Sequence, residues 1–121
     1  MAVWSATDLR NRGSYETEEA ALEAIVARLI ECLHPEAIYL FGSRARGEHR
    51  PESDYDLRVV MPTEAGEAGR DYARAHAPLS GLGVGCDVVP CLRSDFERAK
   101  DRPTSLCHEV SREGRKLYER A

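Results

Sequence analysis

The sequence predicts an α/β (α+β) fold, a mixed β-sheet with helices packed against it, and three observations carry that expectation. A helical stripe covers residues 17–33, three short runs read as strands, and helical patterns lie between and after the later runs. No repeat, low-complexity tract or long linker divides the 121 residues. A single domain over 1–121 is therefore expected, with residues 1–16 as an N-terminal extension that is flexible or contacts a partner. At that length the chain can remove roughly two-thirds of its unfolded surface from water, enough for one core without disulfide or metal staples.

In chain order, Leu22, Ile25, Val26, Leu29, Ile30 and Leu33 repeat at helical spacing and form one apolar stripe. Thr17 is placed to cap this helix, Glu18 and Glu19 favour its positive end, and Pro35 closes it just beyond His34. Ala37 to Phe41 reads as a short buried strand that halts at Gly42. In the next run, 54–61, Tyr55, Leu57, Val59 and Met61 point one way and Asp54, Asp56, Arg58 and Val60 the other. Residues 64–77 are expected to be helical despite Gly66 and Gly69, and Pro78 with glycines 81, 83 and 85 to form a loop. A third strand is expected at Val84 to Val89. Ser94 and Glu97 read as a capping box for a helix to about Asp101, and Pro103 separates it from another helix ending near Gly114. Arg115 to Glu119 is expected to add a last strand.

Composition excludes several function classes. With 42% apolar and 31% charged residues the chain is neither disordered nor fibrous. Lys and Arg number 17 against 21 Asp and Glu, a net charge of −4, which argues against a general duplex-binding surface. Any phosphate site must then be local. The longest apolar run, Ala37 to Phe41, falls far short of the roughly 20 residues of a membrane span, so no membrane partner is expected. Met1 to Arg10 lacks the pattern of an export signal, which leads to the expectation of a reducing, cytoplasmic setting. Cys32, Cys86, Cys91 and Cys107 contain no Cys-x-x-Cys pair, and Cys86 and Cys91 face opposite ways along a strand, so buried, inert thiols are expected over a zinc site.

The chemistry is carried by residues 41–60. Gly42 lets a backbone or a phosphate approach the strand end, and Ser43 offers a hydroxyl and an N–H at the start of a helical turn, a small anion site. Arg44, Arg46 and Arg50 against Glu48 make this the most basic stretch of an acidic chain. A solvated Arg-rich loop is the plain alternative. Asp54 and Asp56 leave one strand face with Cα atoms about 6.7 Å apart. Two acids there repel, and either full solvation or a pair of divalent ions about 3.5–4 Å apart would relieve them. Asp87 lies within an apolar run and is expected to be buried, where it needs either an Arg partner such as Arg58 or a place beside Asp54 and Asp56 in a metal-binding triad. Such oxygen donors favour magnesium or manganese over zinc.

These residues resemble a family. Gly42-Ser43, then Asp54-x-Asp56, then a strand Asp87 some thirty residues on, is similar to the nucleotidyltransferase superfamily that shares a palm-like fold with DNA polymerase beta and kanamycin nucleotidyltransferase. Within it, GSRARG, SDYDL, the strand around Cys86-Asp87-Val88-Val89 and a closing REGRKLY resemble the minimal nucleotidyltransferase antitoxins of HEPN-MNT toxin-antitoxin pairs, over about residues 20–119. The resemblance implies that Gly42 and Ser43 hold the phosphates of ATP and that Asp54 and Asp56 bind two magnesium (or manganese) ions. It implies that Asp87 binds one of them and helps the acceptor hydroxyl lose its proton. Arg44 or Arg46 touches the triphosphate, or one of them instead pairs with Glu48 or braces the loop. Arg58 neutralises Asp87, contacts nucleotide or reaches solvent.

Gly81-Leu82-Gly83-Val84-Gly85 precedes a strand instead of opening a helix, so it is a loop and no dinucleotide-binding motif. His34, His49 and His76 read as surface residues, and Cys107-His108 carries no triad signal. Trp4 and Tyr15 pack on the domain or serve a partner. The reaction the family implies is AMP transfer from ATP to a hydroxyl, a tyrosine above all, of a partner HEPN ribonuclease toxin. A non-catalytic antitoxin and a small-molecule nucleotidyltransferase are the alternatives. A chain of 121 residues leaves no room for a second domain that shapes an acceptor pocket, so the acceptor is expected from another chain in a homo- or hetero-oligomer.

Overall fold

The structure is a computed structural model that describes residues 15–48, 50 and 53–121. Trp4 and His49 lie outside the described residues, as does most of the N-terminal extension. The long helix α1 spans Glu18–Leu33; Thr17 accepts the amide of Ala20 at its start and His34, left-handed at φ 53°, ends it. The predicted stripe is the reason it forms where it does. Leu22, Ile25 and Leu29 are buried against the sheet, each contributing roughly 1.5–3 kcal/mol of burial.

Strand β1 is Ala37–Phe41, followed by a single helical turn α2 at Ser43–Arg46 and strand β2 at Tyr55–Met61. The segment expected as one helix over 64–77 is broken instead. A 3-10 stretch, Thr63–Arg70, is interrupted where Gly66 takes φ 60°, then α3 covers Tyr72–His76 and a 3-10 turn Ala77–Leu79. Two glycines in the eight residues Thr63–Arg70 cost helix more than its few apolar contacts return. Asp71 caps α3 through the Arg74 amide, a helix start inside the segment expected as one helix.

Strand β3 runs Cys86–Leu92, beginning later and ending later than the expected Val84 to Val89, and continues through Pro90. Proline is tolerated because β3 is an edge strand and Pro90 lacks only an outward-facing donor. Helix α4 is Arg93–Ala99 and α5 is Leu106–Glu113, capped by Ser105 through the His108 amide. The expected capping box at Ser94 does not form, since Ser94 lies inside α4 and Glu97 pairs with Lys100 and Arg93. Strand β4, Arg115–Glu119, matches the expectation.

The strand order is β3-β2-β1-β4, with β2 and β3 parallel and the other pairs antiparallel. Alternation sorts each strand between two cores. Ile38, Leu40, Tyr55, Leu57, Val59 and Val88 pack under α1. Ala37, Phe41, Val60 and Cys91 pack against Phe96 of α4 and Cys107 and Val110 of α5. The result is the predicted mixed sheet with flanking helices, and at the end where β1 stops and β2 and β3 begin it leaves Asp54 and Asp87 exposed.

Candidate active site

Sheet register assembles the predicted motif at that open end. Phe41, the last residue of β1, faces Asp56 of β2, and Asp56 faces Asp87 of β3. The chain leaving β1 must therefore turn directly over Asp56. Gly42 makes that turn at φ 74°, ψ −156°, and a Cβ added there would lie 2.4 Å from Asp56 Oδ2. Only a residue without Cβ fits so close to the carboxylate. Ser43 follows as the first residue of α2, with its hydroxyl unpartnered among the described residues. The Gly42 carbonyl accepts the amides of Ala45 and Arg46, which closes the turn beneath it.

Asp54 is exposed just before β2, and Asp56 is half-buried on the sheet face that carries α4 and α5. Burial first, and then the Asp87 and Asp54 carboxylates, hold the Asp56 carboxyl above the usual carboxylate range, with Arg46 pulling the other way. Asp87 shares that face, but it is not the buried acid the apolar run led us to expect. Its side chain is 60% exposed, because it sits near the start of an edge strand where neither helix layer reaches. Three hard oxygen donors gathered at one sheet end suit a divalent cation chemically. No three His, Cys, Asp or Glu side chains among the described residues converge as a ready-made cage, however.

The arginines divide by burial. Arg44 turns inward: its Nη1 donates to Glu18 Oε2 at 2.9 Å, its Nε to the Ser53 carbonyl at 3.0 Å, and its guanidinium lies 4.0 Å from the Tyr55 ring centroid. Of the roles left open for it, bracing the loop is the one it occupies; its side chain has no exposed surface to offer a triphosphate. Arg46 is partly exposed at the rim and pairs with Glu48 at 2.8 Å and, more loosely, with Glu109 and Glu113 of α5. Those carboxylates, Glu48 foremost, raise its already high pKa.

Arg58 corrects a second expectation. It does not reach Asp87 or solvent; it is 9% exposed between the sheet and α5, where Nη2 donates to Cys107 Sγ at 3.1 Å. Among the described residues it has no carboxylate partner, and its Nε is buried without a hydrogen-bond partner. The neighbouring Cys91 thiol is pushed up to about 12, chiefly by burial. Cys91 and Cys107 are thus the buried thiols expected, whereas Cys32 is exposed and Cys86 half-buried.

Two groups near the acids had no signal in the sequence. Glu109 of α5 reaches the electrostatic neighbourhood of Asp56 only because α5 packs on the same sheet face. His76, expected on the surface, is half-buried with Nε2 3.9 Å from Asp87 Oδ1. Two clefts, of about 500 Å³ beside Val26, Ile30 and Leu117 and about 340 Å³ beside Met61, Arg74 and Arg120, do not include the acids. Asp54 and Asp87 stand at an open rim.

Comparison with known proteins bears on the family and the fold. A family model described as polymerase beta nucleotidyltransferase matches residues 23–121. A crystal structure of a toxin-antitoxin with AMP-PNP is similar at 26% identity and a TM-score of 0.54, over 81% of this chain and 73% of that one. A Sulfolobus solfataricus protein described as a nucleotidyltransferase is similar at 20% identity and a TM-score of 0.43, over 89% of this chain and 94% of that one. No curated protein matches.

Proposed function

The chain belongs to the polymerase beta nucleotidyltransferase family, and on that premise we propose that it is a magnesium-dependent antitoxin that transfers AMP from ATP to a hydroxyl, a tyrosine above all, of a partner HEPN ribonuclease toxin. The observation that carries this reading is the meeting of the Gly42-Ser43 turn with Asp56 and Asp87 at one open sheet end. The structural neighbour described as a toxin-antitoxin with an ATP analogue supports both the nucleotide and the kind of partner.

In this reading Gly42 admits the triphosphate against the strand end, and the Ser43 hydroxyl and amide donate to its phosphate oxygens. Asp54 and Asp56 hold the magnesium or manganese ions, and Asp87 holds one of them. Bound there, the ions supply positive charge for the entering and leaving oxygens of an in-line displacement. An Asp87 carboxylate oxygen draws the proton from the acceptor hydroxyl as its oxygen bonds the α-phosphorus and pyrophosphate leaves. Arg46, partly exposed and paired with Glu48, would exchange that contact for a triphosphate oxygen. The open rim leaves the acceptor wall to another chain, which suits a macromolecular acceptor better than a small molecule.

The test mixes the protein with its partner toxin, ATP and magnesium, separates them, and measures the toxin's intact mass and ribonuclease activity. The expected outcome is one or more added AMP units and inhibition that persists after separation, both lost in Asp54→Asn and Asp56→Asn proteins that keep wild-type circular dichroism. An unmodified toxin that regains activity on separation would leave neutralisation by binding alone.

A further inference from the structure

His76 makes four contacts that a surface histidine does not need. Its Nδ1 lies 2.8 Å from the Tyr72 carbonyl one helical turn back, and its Nε2 accepts the Val88 amide at 3.0 Å. A carbonyl can only accept and an amide can only donate, so the two bonds together assign a neutral ring with its proton on Nδ1. The same Nε2 lies 3.9 Å from Asp87 Oδ1. On the outer side of the ring, Tyr72 stacks at 6.3 Å with the planes 17° apart, and Tyr72 is itself 54% exposed.

The Val88 amide is the one that matters for Asp87. It belongs to the peptide joining Asp87 to Val88, so holding its N–H holds the plane that sets the direction of the Asp87 backbone and side chain. Inside a sheet a neighbouring strand would do this. Here β3 is the edge, with β2 on one side only, and Pro90, two residues on, has no donor for that outer side. We propose that His76 is a positioning residue for Asp87: a neutral, Nδ1-protonated imidazole on α3 clamps the free edge of β3 and holds the Asp87 carboxylate beside Asp56. Because Nε2 carries no proton and its lone pair is taken by the Val88 N–H, the ring donates nothing to the carboxylate, which stays free to take a cation. The inference rests on the reading of Asp87 as the third acid of the transfer site.

The experiment uses the full chain as wild type, His76→Ala and His76→Gln, the glutamine keeping an acceptor oxygen near the Nε2 position. Nitrogen-15 spectra of the wild type should show the Nδ1-protonated tautomer. Amide exchange at Val88 should accelerate at least tenfold in His76→Ala and return towards wild type in His76→Gln. Binding of Mn²⁺ with ATP, followed by electron paramagnetic resonance of the free ion, should weaken about tenfold in His76→Ala and much less in His76→Gln, as loss of a group that orients a ligand does elsewhere. An Nε2-protonated ring, or unchanged Val88 exchange in His76→Ala, would overturn the clamp. Faster Val88 exchange with unchanged Mn²⁺ binding would overturn the positioning role. A wild type that neither binds Mn²⁺ with ATP nor transfers AMP would remove the reading of the site itself, whatever the tautomer.

Discussion

Replacing Gly42 by alanine tests the close approach on which the site is built. The backbone there, φ 74° and ψ −156°, belongs to a region almost restricted to glycine, and placing an L-residue in it costs about 1–3 kcal/mol. The new Cβ would also lie 2.4 Å from Asp56 Oδ2 and 3.2 Å from its Cγ, an overlap of overpacking type that adds about 1–3 kcal/mol. Together these give a loss of about 4 kcal/mol. Gly47 is the internal control, since it too has φ 74° but ψ 16°, and a Cβ there would meet nothing within 4 Å. Gly47→Ala should cost about 1 kcal/mol or less, because a left-handed alanine costs about 1–2 and the stiffer unfolded chain returns part of it. Urea unfolding of both variants supplies the comparison, and repeating Gly42→Ala in an Asp56→Ala background should recover the overlap share, about 1–3 kcal/mol. If Gly42→Ala proves no worse than Gly47→Ala, or if the Asp56→Ala background recovers nothing, the turn does not press on the carboxylate and the argument for the site fails.

Four other outcomes follow from the geometry. Asp56→Asn should stabilise the metal-free protein at neutral pH: burial, Asp87 and Asp54 raise this carboxyl's folded pKa, so its ionised form opposes folding at pH above that value. The advantage should fade as pH falls through the raised value and vanish below the unfolded one, which urea midpoints measured from pH 7 downward will follow. Ser43→Ala should weaken ATP binding by roughly 1.5–3 kcal/mol, one hydrogen bond to a charged group, with calorimetry as the measure and an unchanged affinity as the refutation. Arg58→Met should be neutral or stabilising, because a buried guanidinium whose hydrogen bonds among the described residues go to the Cys107 and Cys91 thiols is replaced by an apolar chain of similar reach, whereas Cys107→Ala should cost about 1–3 kcal/mol by leaving Arg58 further unsatisfied. Arg44→Ala should destabilise the fold through Glu18, Ser53 and Tyr55, while Arg46→Ala should leave the melting temperature nearly unchanged and act, if at all, on nucleotide affinity.

What the sequence alone determined is what near-neighbour physics decides. The apolar stripe and the Thr17 cap mark α1, the alternation of Tyr55, Leu57, Val59 and Met61 marks β2 and its inner face, and Gly42-Ser43 with Asp54 and Asp56 marks where the chemistry lies. Those signals are local because helix and strand periods are properties of a few successive residues. The tertiary structure decided everything that depends on which elements become neighbours. Asp87 is exposed and not buried because it sits near the start of the edge strand β3, before the stretch where packing buries Val88, Cys91 and Leu92, a matter of strand order and register that no run of residues encodes. Arg44 faces inward because Glu18, twenty-six residues earlier, lies beneath the loop, and Arg58 meets Cys107, forty-nine residues later, because α5 packs on that face of β2. His76 came to hold the Val88 amide in the same way, once the broken helix set α3 against an edge donor that no strand covers.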